Sequence, residues 1–127
     1  MPPMPSVLIG LLALSLVWLV SQPSAYAQGA EVVFDLRIEQ GKVAQNLRLL
    51  RVKQGDAVKL RWTTDRPIIV HLHGYDIETK VVPGAVSEMV FDARAAGRFP
   101  VEEHRPTAKG GHSHGEAPLV RIEVRPR

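Results

Sequence analysis

Residues 57–76 read AVKLRWTTDRPIIVHLHGYD, and the fold is decided by how this stretch is read. Val58, Leu60, Trp62 and Thr64 alternate with Lys59, Arg61 and Thr63, the period of two that marks a half-buried strand. Asp65-Arg66-Pro67 breaks it, because proline cannot donate to a strand ladder. Ile68 to His73 then reads as a second, more apolar strand carrying His71 and His73. Residues i and i+2 of a strand face the same side, about 6.5–7 Å apart, so both rings can turn onto one ion. Neutral imidazole is a common ligand of copper and zinc.

Short strands and turns continue on both sides. Toward the N-terminus, Gln54-Gly55-Asp56 is a turn signal, Leu47 to Val52 is extended, and Gln40-Gly41-Lys42 turns the chain. Glu31 to Glu39 alternates Phe34, Leu36 and Ile38 with Asp35, Arg37 and Glu39. Toward the C-terminus, Gly74-Tyr75-Asp76 bends the chain, Ile77 to Val82 is extended, and Pro83-Gly84 turns it before a strand from Val86 to Phe91. Ala93 to Ala96 is expected to form one helical turn closed by Gly97. Phe99 to Glu103 leads to His104, residues 105–118 form a polar loop rich in Gly and Pro, and Leu119 to Val124 is the last strand. About seven short strands with almost no helix predict an all-β, antiparallel β-sandwich. Its core is expected to include Val58, Leu60, Trp62, Val70, Leu72, Val90 and Phe91.

The ends and the composition set further bounds. Val7 to Val20 is an uninterrupted run of mostly apolar residues, too short for a comfortable membrane span, and Ala25-Tyr26-Ala27 follows as a small-residue cleavage pattern. Residues 1–27 are therefore expected to be a signal peptide, although the segment before Val7 has no Lys or Arg; the alternative is a retained N-terminal anchor. Either way, residues 28–127 form one domain outside the cytoplasm, periplasmic or secreted. All the charged residues lie in that part, whose net charge is that of the whole chain, +3. The cations are dispersed, with no basic patch interleaved with aromatics, which argues against nucleic acid as a partner. The chain has no cysteine, which excludes disulfides, iron–sulfur clusters, a blue-copper thiolate and a cysteine nucleophile.

The order of signals resembles the cupredoxin fold family, specifically its divergent, exported bacterial members, over about Glu31 to Val124. The resemblance rests on VKQGDAVKL at 52–60, VHLHGYD at 70–76, Pro83-Gly84 before a strand ending FDA at 91–93, GRFPVEEH at 97–104, and a His-bearing loop before LVRIEV at 119–124. It implies a Greek-key sandwich. It also implies a metal site with one His from a middle strand and further ligands from the loop before the last strand. By position, His71 matches the first ligand, with His73 close behind. His104 lies near the place of the family's cysteine, with Glu103 beside it, and His112 or His114 falls where a second His is expected. The missing cysteine and the lack of a methionine after the loop depart from the family and argue against fast electron transfer.

The five histidines, His71, His73, His104, His112 and His114, thus form an imidazole-rich, thiol-free candidate set for copper, Cu(II) first, with zinc as the alternative. The tract 110–115, GGHSHG, is of the kind that picks up metal without preformed geometry. The expected function is copper carriage, buffering or delivery, with a periplasmic or membrane-bound copper protein as partner. A metal-free interaction or assembly module of such a complex is the rival reading. No catalytic constellation is visible: Ser113 lacks a rigid orienter and an oxyanion hole, and Glu102 and Glu103 point to opposite faces of a strand. An enzyme is not expected.

Overall fold

A computed structural model describes residues 1–4, 29–104 and 117–127. The cleavage pattern, the whole apolar N-terminal run, His112 and His114 lie outside the described residues. The described part holds eight strands: β1 (Glu31–Ile38), β2 (Leu49–Lys53), β3 (Ala57–Thr64), β4 (Ile68–Leu72), β5 (Ile77–Val81), β6 (Ser87–Asp92), β7 (Gly97–Glu103) and β8 (Val120–Arg125). A single 3-10 turn at Gln45–Leu47 is the only helical element among them. Among the described residues no helix is long and apolar enough to cross a membrane.

The strands form two sheets, ordered β1-β3-β6 and β2-β8-β7-β4-β5. Alternation puts one side of each strand between them. In β3, Val58, Leu60, Trp62 and Thr64 are buried, and in β4, Ile68, Val70 and Leu72. Among the described residues, twenty buried apolar side chains make up the core. At about 1.5–3 kcal/mol for each large apolar side chain fully buried, a core of this size lets the domain dispense with disulfides.

Three details differ from the sequence reading. Both sheets are mixed: β1 pairs with β3, and β2 with β8, in parallel, while the other pairings are antiparallel. The chain passes from β1 to β3 through β2 in the opposite sheet, the kind of crossover a parallel pair requires. Val90 is not in the core; Met89 and Phe91 take the inward positions of β6, leaving Val90 57% exposed. Residues 93–96 make a bend instead of a helical turn. Ala93, fully buried, donates its N–H to the Asp56 carbonyl at 2.9 Å and accepts from Gly55 N–H at 2.8 Å. Those bonds pin it to the β2–β3 turn, so Gly97 opens β7 (φ 148°) and closes no helix.

A candidate metal centre on the outer face of the large sheet

The inward positions of Val70 and Leu72 put His71 on the other side of β4, the outer face of the five-stranded sheet. Register builds its surroundings. Opposite His71 stand Glu78 on β5 and Glu102 on β7, and opposed residues share a face with Cβ atoms about 4.5–5.5 Å apart. His104 continues β7, its N–H donating to the Ile69 carbonyl at 2.8 Å, and His73 does the same to Pro100 at 3.0 Å. Three histidines and two glutamates from three neighbouring strands thus share one patch of outer face, beside the 73–76 turn.

Within that patch His71, Glu78 and His104 converge, with one ligand atom of each lying within 4.8 Å of the others. His104 Nδ1 is 3.5 Å from Glu78 Oε1, and the His71 and His104 ring centroids are 6.4 Å apart. Donors sharing an ion at bonds of about 2.0–2.1 Å lie roughly 3.3 Å apart in a tetrahedral site. Glu78 and His104 are exposed, so small rotations close that gap. His71 is the more enclosed ring, its side chain 22% exposed, and Asp76 Oδ1 lies 3.9 Å from its Nε2.

His73 is outside this trio but next to it, its ring centroid 4.4 Å from that of His71. Its Nε2 is 2.9 Å from Glu102 Oε2. An ionised carboxylate only accepts, so in a neutral ring this contact puts the hydrogen on Nε2 and the lone pair on Nδ1. Carboxylates hold metal-ligating histidines in this way. Glu103 points to the opposite face, as alternation requires. It is paired in two-pronged fashion with Arg66, Nη1–Oε1 and Nη2–Oε2 both 3.0 Å.

The end of the sandwich beneath the patch is closed by aromatics. Tyr75 packs on Phe91 and Phe99, with centroid separations of 4.9 and 5.0 Å. Gly74 has φ +88°, and a Cβ there would stand 2.6 Å from Phe99 Cδ1. Only glycine makes this turn so close to the ring, and the turn aims His73, Asp76 and Glu78 across the patch.

The sequence reading named His71, His73 and His104, and the fold brings all three to one face. It missed Glu78. The signal was available: a hairpin turn at 73–76 sets Leu72 opposite Ile77, which places Glu78 opposite His71.

No protein-family model and no curated protein sequence matches this chain. Solved structures do. A heme-copper terminal oxidase dimer contains a chain that is 18% identical with a TM-score of 0.57, over 80% of this chain and 68% of that one. A multicopper oxidase from Pseudomonas thermotolerans is 22% identical with a TM-score of 0.57, over 78% of this chain; the match spans only 30% of the oxidase. The periplasmic domain of subunit II of cytochrome oxidase (CoxB) of Bradyrhizobium japonicum is 15% identical with a TM-score of 0.52, over 75% of this chain and 83% of that domain. The chain has the cupredoxin fold, without the cysteine.

Proposed function

We propose that this is an extracytoplasmic copper-handling protein that carries one Cu(II) ion on the outer face of its large sheet, held by His71, His104 and Glu78. The observation that carries this reading is the convergence of those three side chains, from three adjacent strands, to within 4.8 Å. Two neutral imidazoles and a carboxylate suit Cu(II), with Zn(II) the weaker competitor by the usual order of divalent affinities. His73 supplies a fourth ligand through Nδ1, with Glu102 holding its ring. The ion is cargo. The patch opens to solvent, so a partner's ligands can reach it and take it by stepwise exchange. Without a thiolate, nothing here tunes copper for rapid electron transfer. Support for work outside the cytoplasm comes from the N-terminal sequence and from likeness to a periplasmic oxidase domain. Support for a membrane copper complex as recipient comes from likeness to terminal-oxidase chains.

The test is titration of the protein with Cu(II) and with Zn(II), followed by mass spectrometry and Cu(II) spectroscopy, beside a His71→Ala/His104→Ala variant. One copper per chain at sub-micromolar affinity, lost in the variant while His112 and His114 remain, is the expected result. Equal weak binding by both proteins would sink the reading and leave the sandwich as a metal-free assembly module. Proton competition for imidazole adds a second readout: binding should weaken as pH falls below about 6.

A further inference from the structure

The outer face that holds the imidazoles is electrically divided. Its other half, β2 and β8 with the start of β7, presents Arg51, Lys53, Arg121, Arg125 and Arg98, all exposed, around a single carboxylate, Glu123. Register makes this a continuous field. Arg51 and Arg98 stand opposite Glu123 on either side, and Lys53 opposite Arg125. This half-face carries a net +4, more than the +3 of the whole chain. Glu123, 16% exposed, is 2.9 Å from Arg125, 3.4 Å from Arg98 and 3.6 Å from Arg51. The hydrogen bond from Arg125, then the surrounding guanidinium charge, lowers its pKa, so it stays ionised and spaces the arginines. Next to this field an open depression of about 530 Å³ is lined by the cations Arg51, Lys53, Arg125 and Arg127 and by one carboxylate, Asp56. The Arg127 guanidinium is fixed there by Asp56 Oδ1 (2.7 Å) and the Gln54 carbonyl (2.6 Å).

We propose that this basic half-face is a docking surface for an acidic patch on a partner protein, the one that gives or takes the metal ion. The inference deepens the copper-handling reading and rests on it only for why a partner comes to this face. β8 lies two strands from β4, about 10 Å across, and Glu123 stands opposite Arg98, four residues along β7 from the Glu102 that faces His71, about 13 Å along the strand; a partner footprint of about 800 Å² seated on the cations also covers the imidazoles. Arg121, opposite Pro100 and so level with His73, is the nearest cation, about 10 Å away, comparable to the screening length of about 8 Å at physiological salt, so the near edge of the field reaches a partner approaching the ion. Complementary charge of this kind sets encounter rate and orientation more than final affinity. A protein patch is favoured over a lipid surface because Glu123 and Asp56 hold four of the guanidinium groups in a fixed arrangement. A membrane attracts cations without reading their pattern.

The experiment measures binding of the metal-free full chain to poly-L-glutamate, and to vesicles of one part phosphatidylglycerol to three parts phosphatidylcholine, at low salt and at 0.15 M salt. The polypeptide should bind, and more weakly at the higher salt. Lys53→Glu/Arg121→Glu should reduce that binding about tenfold or more, and Lys53→Gln/Arg121→Gln should reduce it less. Arg37→Glu/Lys59→Glu, the same charge change on the other sheet, should leave it close to wild type. His71→Ala/His104→Ala should leave it unchanged, which separates failure of this surface from failure of the metal centre. Equal losses in the two reversed variants, no binding to the polypeptide, or tighter binding to the vesicles would each overturn the proposal. Circular dichroism confirms that each variant is folded.

Discussion

At the residue scale, single groups around the 73–76 turn do separable jobs. Glu102 orients His73 without belonging to the converging trio, so Glu102→Gln should lower Cu(II) affinity by about 10–100-fold, the usual effect of losing an orienting carboxylate. Isothermal titration reads this directly, and unchanged affinity would remove His73 from the ligand set. Gly74 answers to sterics alone. Gly74→Ala combines a positive φ with a Cβ 2.6 Å from Phe99 and should cost about 1–3 kcal/mol of stability in chemical denaturation. Tyr75 shows a third logic. Its hydroxyl is buried and has no hydrogen-bond partner among the described residues, while its ring packs on Phe91 and Phe99. Tyr75→Phe should therefore be neutral or slightly stabilising, because it removes an unpaired polar group and keeps the ring. Tyr75→Ala should destabilise by about 3 kcal/mol or more. Equal losses in both variants would mean that the hydroxyl has a partner after all.

At the scale of the strand, what was legible in the sequence is what alternation encodes. The runs at Glu31–Glu39 and Val58–Thr64 gave their strands and inward faces directly, because Leu36 and Ile38 in the first and Val58, Leu60 and Trp62 in the second are buried on the side their period assigned. Val90 was misjudged because β6 has apolar residues at three successive positions, Met89, Val90 and Phe91, and period two has no preference until a neighbour claims one face. His71 and His73 were legible as a pair. Their meeting with His104 needed the β4–β7 pairing, and Glu78 needed the β4–β5 register; both are facts about neighbouring strands, not about one. Glu123 on β8 shows the same cross-strand dependence in its titration. Arg125, Arg98 and Arg51 hold its pKa below the ordinary value of 4.5. A carboxylate whose pKa is depressed by folding adds stability above its unfolded pKa, and that stability is lost as pH falls through the folded value. The wild type should therefore lose stability on acidification below about pH 4.5 more steeply than Glu123→Gln. Denaturant midpoints measured from pH 6 to pH 3 check this; parallel curves would mean that the ion pairs contribute nothing.

At the scale of the molecule, the two parallel pairings were beyond reach of the sequence, because direction depends on which sheet a strand joins and not on its own residues. β2 crosses between sheets and so allows β1 and β3 to run side by side. The same wrapping means that the candidate ligands come from β4, β5 and the end of β7, strands separated along the chain but adjacent in one sheet. An ion held by all three binds the folded domain and stabilises it by mass action, by about 2.7 kcal/mol at a free-ion concentration one hundred times the dissociation constant. In a domain of about 100 residues that corresponds to a rise in melting midpoint of about 10–20 °C. Thermal unfolding with saturating Cu(II) should show this rise in the wild type and little of it in His71→Ala/His104→Ala. Zn(II), bound more weakly, should give a smaller rise at equal concentration. Any copper taken up by His112 and His114 in the unfolded chain alone would offset part of the gain. A His112→Ala/His114→Ala variant should therefore melt as high as the wild type with copper, or higher. A lower midpoint than the wild type would place one of these histidines among the ligands of the folded site.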